Sequence, residues 1–139
     1  MNIKVTVQTN GPFFQPGASR VVTDAVQGSI KQLADMGEEH LLKKHLRPRP
    51  AGDYIAISAG GRSEDHFARN LDKRVGSLHA IIDNPVVYGP WLEGVGSRNQ
   101  TTRFKGYSMF RRTTQWLQEK ARSVLEAHVH AAVRRLNGF

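Results

Sequence analysis

From Met109 onward the apolar residues return every three or four positions: Leu117, Ala121, Val124, Leu125, His128, Ala132 and Leu136. That spacing puts them on one helical face and predicts an amphipathic helix from about 108 to 136, ended by Asn137-Gly138. A helix of this length is stable mainly because its apolar stripe is covered, so the chain must supply a partner. A second stripe does so between about 20 and 45: Val22, Val26, Ile30, Leu33, Gly37 and Leu41. Ser19 is its expected N-cap, and Lys43, Lys44 and His45 suit the negative end of its dipole. Arg47-Pro48-Arg49-Pro50 then stops it. Gly28 and Gly37 each weaken this helix by up to about 1 kcal/mol relative to Ala, and they allow close packing. The core expected from the two stripes is Val22, Val26, Ile30 and Leu33 against Leu117, Val124 and Leu125.

The remaining elements are short. Ile3, Val5 and Val7 alternate with polar residues as in a half-buried strand, ended by Asn10-Gly11-Pro12. Phe13 and Phe14, ahead of the Pro16-Gly17 turn, are expected to tuck under the fold. Asp53 to Ala59 reads as a strand. Gly60 to Lys73 is mostly polar and without sustained period, which predicts a flexible loop near 60–74 or a short helical turn. Val75 to Val87 reads as one bent strand or two, with a turn at Asp83-Asn84-Pro85. The expectation is an α+β fold in a single domain, 1–139. Two long amphipathic helices pack on a small, mainly antiparallel sheet.

Composition narrows what such a domain does. The 139 residues contain no cysteine, which excludes disulfides and thiolate sites. No apolar run approaches the ~18 residues that span a bilayer, and the first ten residues lack the apolar stretch of a secretory signal, so no membrane partner is expected. The net charge of +8 is unevenly placed. Residues 98–139 hold nine basic and two acidic residues (+7), whereas residues 1–97 hold eleven and ten (+1). A surface facing phosphates or an acidic protein is one reading of this bias, and a solvated basic helix face is the other.

Candidate chemistry is sparse. His128 and His130 stand two apart on a helix and point in different directions, and His40 and His45 miss the i, i+4 spacing of helical zinc ligands. The acidic pairs Glu38-Glu39 and Glu64-Asp65 are adjacent rather than convergent. No GxSxG elbow, GxGxxG or P-loop occurs. No catalytic residue, metal site or cofactor is therefore expected. Between Arg98 and Arg112, however, Arg98, Arg103, Lys105, Arg111 and Arg112 interleave with Phe104, Tyr107 and Phe110, alternating phosphate-binding charge with rings able to stack on bases.

The run YGPWLEGVGSRN followed by TRFKGYSMFRR, spanning Tyr88 to Arg112, resembles a segment of the tail-completion or head–tail connector proteins in the neck of long-tailed, siphophage-type bacteriophages. The frame is similar too: GPFF at Gly11 to Phe14, a long first helix, YIA at Tyr54, and a basic C-terminal helix. Only Gly60 to Gly76 adds nothing to it. Tyr88, Gly89, Trp91, Leu92, Glu93 and Gly94 match the family's YG-WLEG element. Arg98, Asn99, Arg103, Phe104, Gly106, Tyr107 and Arg111 match its RN, RF, GY and FRR elements.

The resemblance implies an assembly role without catalysis, in a homo-oligomeric, six-fold ring between the connector and the tail tube. Implied partners are a connector or stopper protein and a tail terminator or tube protein, with contact to packaged DNA. The protein would be made in the host cytoplasm and end in the virion. Candidate interface residues are Tyr88, Trp91, Leu92, Glu93, Arg98, Arg103, Phe104, Lys105, Tyr107, Arg111 and Arg112. A tail-terminator ring is the rival within this class, and a small basic nucleic-acid-binding protein the rival outside it. Trp91 separates these classes, because a neck subunit needs it for packing or a subunit boundary whereas a nucleic-acid binder needs it for stacking on bases.

Within the segment, Glu93 is the sole acid between Asp83 and Glu119, and a lone carboxylate among arginines suits an arginine pair, within the subunit or across a subunit boundary. Gly94, Gly96 and Ser97 are expected to release a docking arm, about 94–106, that leaves the core and orders on assembly.

Overall fold

The computed structural model describes residues 16–45 and 67–138. The expected strands at 3–7 and 53–59, the Phe13-Phe14 pair and the start of the 60–74 loop lie outside those residues. The described part is α+β, as the periodicities require. Helix α1 is Ala18–His40 and continues into a π-helical turn, Leu41–His45. An antiparallel hairpin follows, β1 Asp72–Val75 and β2 Ala80–Asp83. Two short helices, α2 Gly89–Glu93 and α3 Arg98–Thr101, lead into α4, Met109–Leu136.

Both long helices begin and end close to where their sequence patterns do, but the cap of α1 differs. Gly17, not Ser19, stands at its N-cap with φ +86°, and the Ser19 carbonyl accepts a hydrogen bond from Thr23 Oγ1 at 2.8 Å inside the first turn. Gly17 reaches a left-handed backbone conformation that a side chain would disfavour, so backbone freedom does the work expected of a hydroxyl.

Helices α1 and α4 run antiparallel. Gly28 lies under the His128 ring, Gly37 under Leu117, and His40 Nδ1 lies 3.0 Å from Thr113 Oγ1. The residues buried on α1 are Ala18, Ala25, Ser29, Ala34 and Gly37, while Val22 remains 41% exposed. On α4, Val124 is buried but Leu125 is 43% exposed. The expected Val22–Leu125 core is corrected accordingly. On α1 the buried line is made of small residues, which make room for larger side chains of α4, His128 over Gly28 and Leu117 over Gly37.

The densest packing lies at one end of the helix pair. Leu41, Phe67, Leu92 and Met109 form a buried cluster, with Leu71, Ile82, Val86, Trp91, Tyr107 and Phe110 packed around it. Burying one such side chain contributes roughly 1.5–3 kcal/mol. Phe67, 1% exposed, falls in the stretch expected to be a loop. Asp72 and Lys73, expected there too, belong to β1.

The hairpin turns at Gly76–His79, where the Gly76 N–H donates to the His79 carbonyl at 2.8 Å. Asp83-Asn84-Pro85 is therefore the exit from β2, not the turn. Asn84 organises that exit by donating from Nδ2 to the Phe67 carbonyl at 2.5 Å and accepting the Val86 N–H at 3.2 Å. Asp72 stands opposite Asp83 in the register, a like-charge pair that Arg74 offsets by reaching both, at 3.0 and 3.8 Å. On the α1 side, Lys73 pairs with Asp35 at 2.8 Å and with Glu38, while Ile82 packs at Gly37.

Lys31 and Lys73 hold the Asp35 carboxyl down to about 2 from 3.8, chiefly through hydrogen bonds to its charged form. A folded pKa below the unfolded one gives stability that is present above pH 3.8 and lost as pH falls toward about 2. Melting temperature measured across that window is expected to fall more for the wild type than for Asp35→Asn. Parallel curves would mean that these lysines do not hold the carboxylate.

Candidate docking surface

The segment from Val86 to Arg112 is cross-connected by many hydrogen bonds of its own. Pro90 stands in the first turn of α2, where a missing N–H costs nothing. Gly94 ends α2 at φ +95°, and the N–H groups of Gly94, Val95 and Gly96 all reach back to the Pro90 carbonyl at 2.9–3.0 Å. The chain then makes α3 and returns, so that Gly106, at φ +87°, lies directly against Gly94. A Cβ built on Gly106 would lie 2.3 Å from Gly94 Cα, and one on Gly94 would lie 2.1 Å from the Lys105 carbonyl oxygen. Only two glycines permit that approach.

Asn99 fills the middle of the loop and is 5% exposed. Its Oδ1 accepts the Gly96 N–H at 2.9 Å, and its Nδ2 donates to the carbonyls of Trp91 at 3.0 Å and Phe104 at 3.1 Å. Lys105 Nζ donates to the Asn99 carbonyl at 2.7 Å. The expected arm that leaves the core is thus a loop closed on itself in the single chain, with both ends joined and a buried amide at its centre.

The rings follow the same geometry. Trp91 and Phe104 lie 4.6 Å apart between centroids, and Phe104 and Tyr107 5.0 Å apart, edge to face. Leu92 is 4% exposed, and its carbonyl accepts the Tyr107 N–H at 2.6 Å.

Glu93 has a role different from the expected one. Its carboxylate accepts the N–H groups of Phe110 at 3.0 Å and Arg111 at 2.9 Å. These are among the first amides of α4, which lack partners within the helix, and a negative charge there also suits the helix dipole. Among the described residues it makes no ion pair with an arginine. The N-cap residue itself, Ser108, has φ +53° and makes no side-chain capping bond; its Oγ accepts from Arg111 Nη2 instead. The short α2 thus supplies the cap for a helix of 28 residues.

The candidate interface residues divide into two groups. Trp91, Leu92, Glu93, Phe104 and Tyr107 hold the fold together. Tyr88, Arg98, Arg103, Lys105, Arg111 and Arg112 are exposed.

The sequence reading missed two valines. Val87 is 95% exposed and Val95 75%. Val87 borders a groove of about 640 Å³ lined also by Tyr88, Pro90, Trp91, Gly96, Ser97 and Arg98. A second hollow, bounded by Asn70, Pro85 and Val86, shares Val87 and Tyr88. The signal for Val95 was present, since Gly94 and Gly96 on either side carry no side chains to cover it. A separate apolar exposure lies on the hairpin: Leu78 at its tip is 65% exposed, Val75 43% and Ile81 46%.

His40 is partly buried between α1 and α4. It stacks on Trp116 with centroids 4.3 Å apart, and burial, reinforced by Lys44, pushes its pKa below the usual value. Among the described residues no three histidine, aspartate or glutamate side chains converge on a possible metal position, and no helix is long and apolar enough to cross a membrane. The chain matches no protein-family model, no curated protein and no solved structure.

Proposed function

We propose that this chain is a structural subunit of the neck of a long-tailed bacteriophage, a tail-completion or head–tail connector ring component, with the tail-terminator ring as the neighbouring alternative. The Tyr88–Arg112 resemblance supplies the family. One structural observation favours ring assembly: two apolar surfaces lie at opposite ends of β2, Leu78 with its neighbours on the hairpin tip and Val87 with the Tyr88–Trp91 groove beyond its exit. A closed ring needs a different face on each side of every subunit, so that one copy's hairpin meets the next copy's groove. Single exposed apolar residues are common on monomers, but an apolar residue bordering a groove marks a place to dock.

Two variants test this arrangement. Leu78→Asp spoils the hairpin and leaves the groove, while Val87→Asp does the reverse. By light scattering each variant alone should be monomeric, and an equimolar mixture should give dimers through the one intact pairing and never rings. Rings from either variant, or a mixture that stays monomeric, would withdraw the head-to-tail arrangement. The neck assignment is tested separately by quantitative mass spectrometry of intact particles, where a fixed copy number on the order of six to twelve is expected. Absence from particles would overturn it.

A further inference from the structure

We infer that the basic end of the molecule, the Ser97–Lys105 loop with the first turn of α4, is a surface for the phosphate backbone of double-stranded nucleic acid. Arg98, Arg103, Lys105, Arg111 and Arg112 are all exposed there, and none makes an ion pair among the described residues. Elsewhere Lys31, Lys43, Lys73, Arg74 and Arg122 each have a carboxylate within ion-pair distance, while Arg20, Lys120, Arg134 and Arg135 make no ion pair among the described residues. The basic end differs in density: five basic side chains fall between positions 98 and 112, and Glu93, the sole acid between Asp83 and Glu119 in the sequence, is engaged by the backbone amides of Phe110 and Arg111. Lys105 and Arg111 do have internal acceptors, the Asn99 carbonyl and the Ser108 hydroxyl, but these are neutral and leave the positive charges in place.

The other side chains of the loop decide which polyanion fits. Between Arg98 and Arg103 the exposed residues are Gln100, Thr101 and Thr102, all polar, and the exposed apolar residues Val87 and Val95 precede the loop. Arginine and lysine with small polar residues are the usual partners of phosphate oxygens. The rings are unavailable for stacking on unpaired bases, because Phe104 lies between Trp91 and Tyr107. Charge without a stacking platform selects the outside of a duplex and reads no sequence. The surface lies on the single chain and meets the proposed ring contact at Ser97 and Arg98, which also line the Val87–Trp91 groove.

The test is fluorescence anisotropy with short labelled DNA and RNA duplexes of unrelated sequence, a single strand, and polyglutamate as an acidic polypeptide. Binding to at least one duplex type at about 50 mM salt is expected, indifferent to sequence and weakening on the order of 100-fold by about 200 mM. The two duplex probes tell DNA from RNA as the source of the phosphates. Arg98→Gln/Arg103→Gln should flatten the log–log salt slope by about 1.8 while leaving thermal unfolding unchanged. Arg134→Gln/Arg135→Gln, at the far end of α4, should leave the slope as it is. No binding at low salt would overturn the proposal, as would equal losses in the two double variants. Tighter binding of the single strand would overturn it in favour of base stacking, and tighter binding of polyglutamate in favour of an acidic protein.

Discussion

Gly94→Ala is expected to destabilise the protein by about 4 kcal/mol, lowering its melting temperature by about 10–15 °C. Two effects combine. At φ +95° an L side chain strains the backbone by about 1–2 kcal/mol. The added Cβ would also lie 2.1 Å from the Lys105 carbonyl oxygen, which belongs to backbone and cannot swing aside. Gly17→Ala separates the two effects, because Gly17 has φ +86° but nothing within 4 Å of a built Cβ, so only the strain of about 1–2 kcal/mol should appear. Gly106→Ala should resemble Gly94→Ala. The double variant should cost less than the sum, since both methyl groups force open the same gap. Equal costs at positions 94 and 17 in urea titrations would show that the loop does not close as described.

Asn99→Leu should cost about 3–4 kcal/mol despite its near-equal size. The substitution removes three hydrogen bonds, from the Gly96 N–H and to the carbonyls of Trp91 and Phe104, and each contributes about 1 kcal/mol. Asn99→Asp is the sharper probe. It keeps the acceptor for Gly96 but turns an oxygen toward two carbonyls, so the charged form is repelled and the neutral form favoured. A folded pKa raised in this way gives stability that is present at low pH and lost as pH rises through that value. The deficit of Asn99→Asp should therefore shrink on acidification, while that of Asn99→Leu should not. Deficits that track together with pH would mean that the amide is not donating to those carbonyls. Both variants should also expose the loop to limited proteolysis between Gly94 and Gly106, which the closed loop of the wild type resists.

The same residues explain why the YGPWLEG…RN…GY pattern is so distinctive. Gly94 and Gly106 permit a backbone contact, Asn99 fills the loop between them, and Glu93 caps α4. Much of the pattern serves to build a rigid base. The residues left for partners, Val87, Tyr88 and the arginines, are displayed from that base.

Sequence alone determined the two long helices, because a 3.6-residue period and its terminators are local and read the same in any surroundings. It also located the segment that carries the candidate surface, the excess of positive charge there, and the lack of a catalytic pattern. Only the tertiary structure decided which line along each helix is buried. Val22 and Ala25 lie on neighbouring parts of one stripe, but the antiparallel partner lays the His128 ring over Gly28, so the buried line runs through Ala25 and leaves Val22 41% exposed. Phe67 was unreadable as core for a similar reason. It sits alone in a polar stretch, and its burial comes from Leu41, Leu92 and Met109, all distant in sequence. Glu93 looked like an arginine's partner because charge is visible in a sequence, whereas the free amides of a helix start 17 residues away become its neighbours only once the loop has closed.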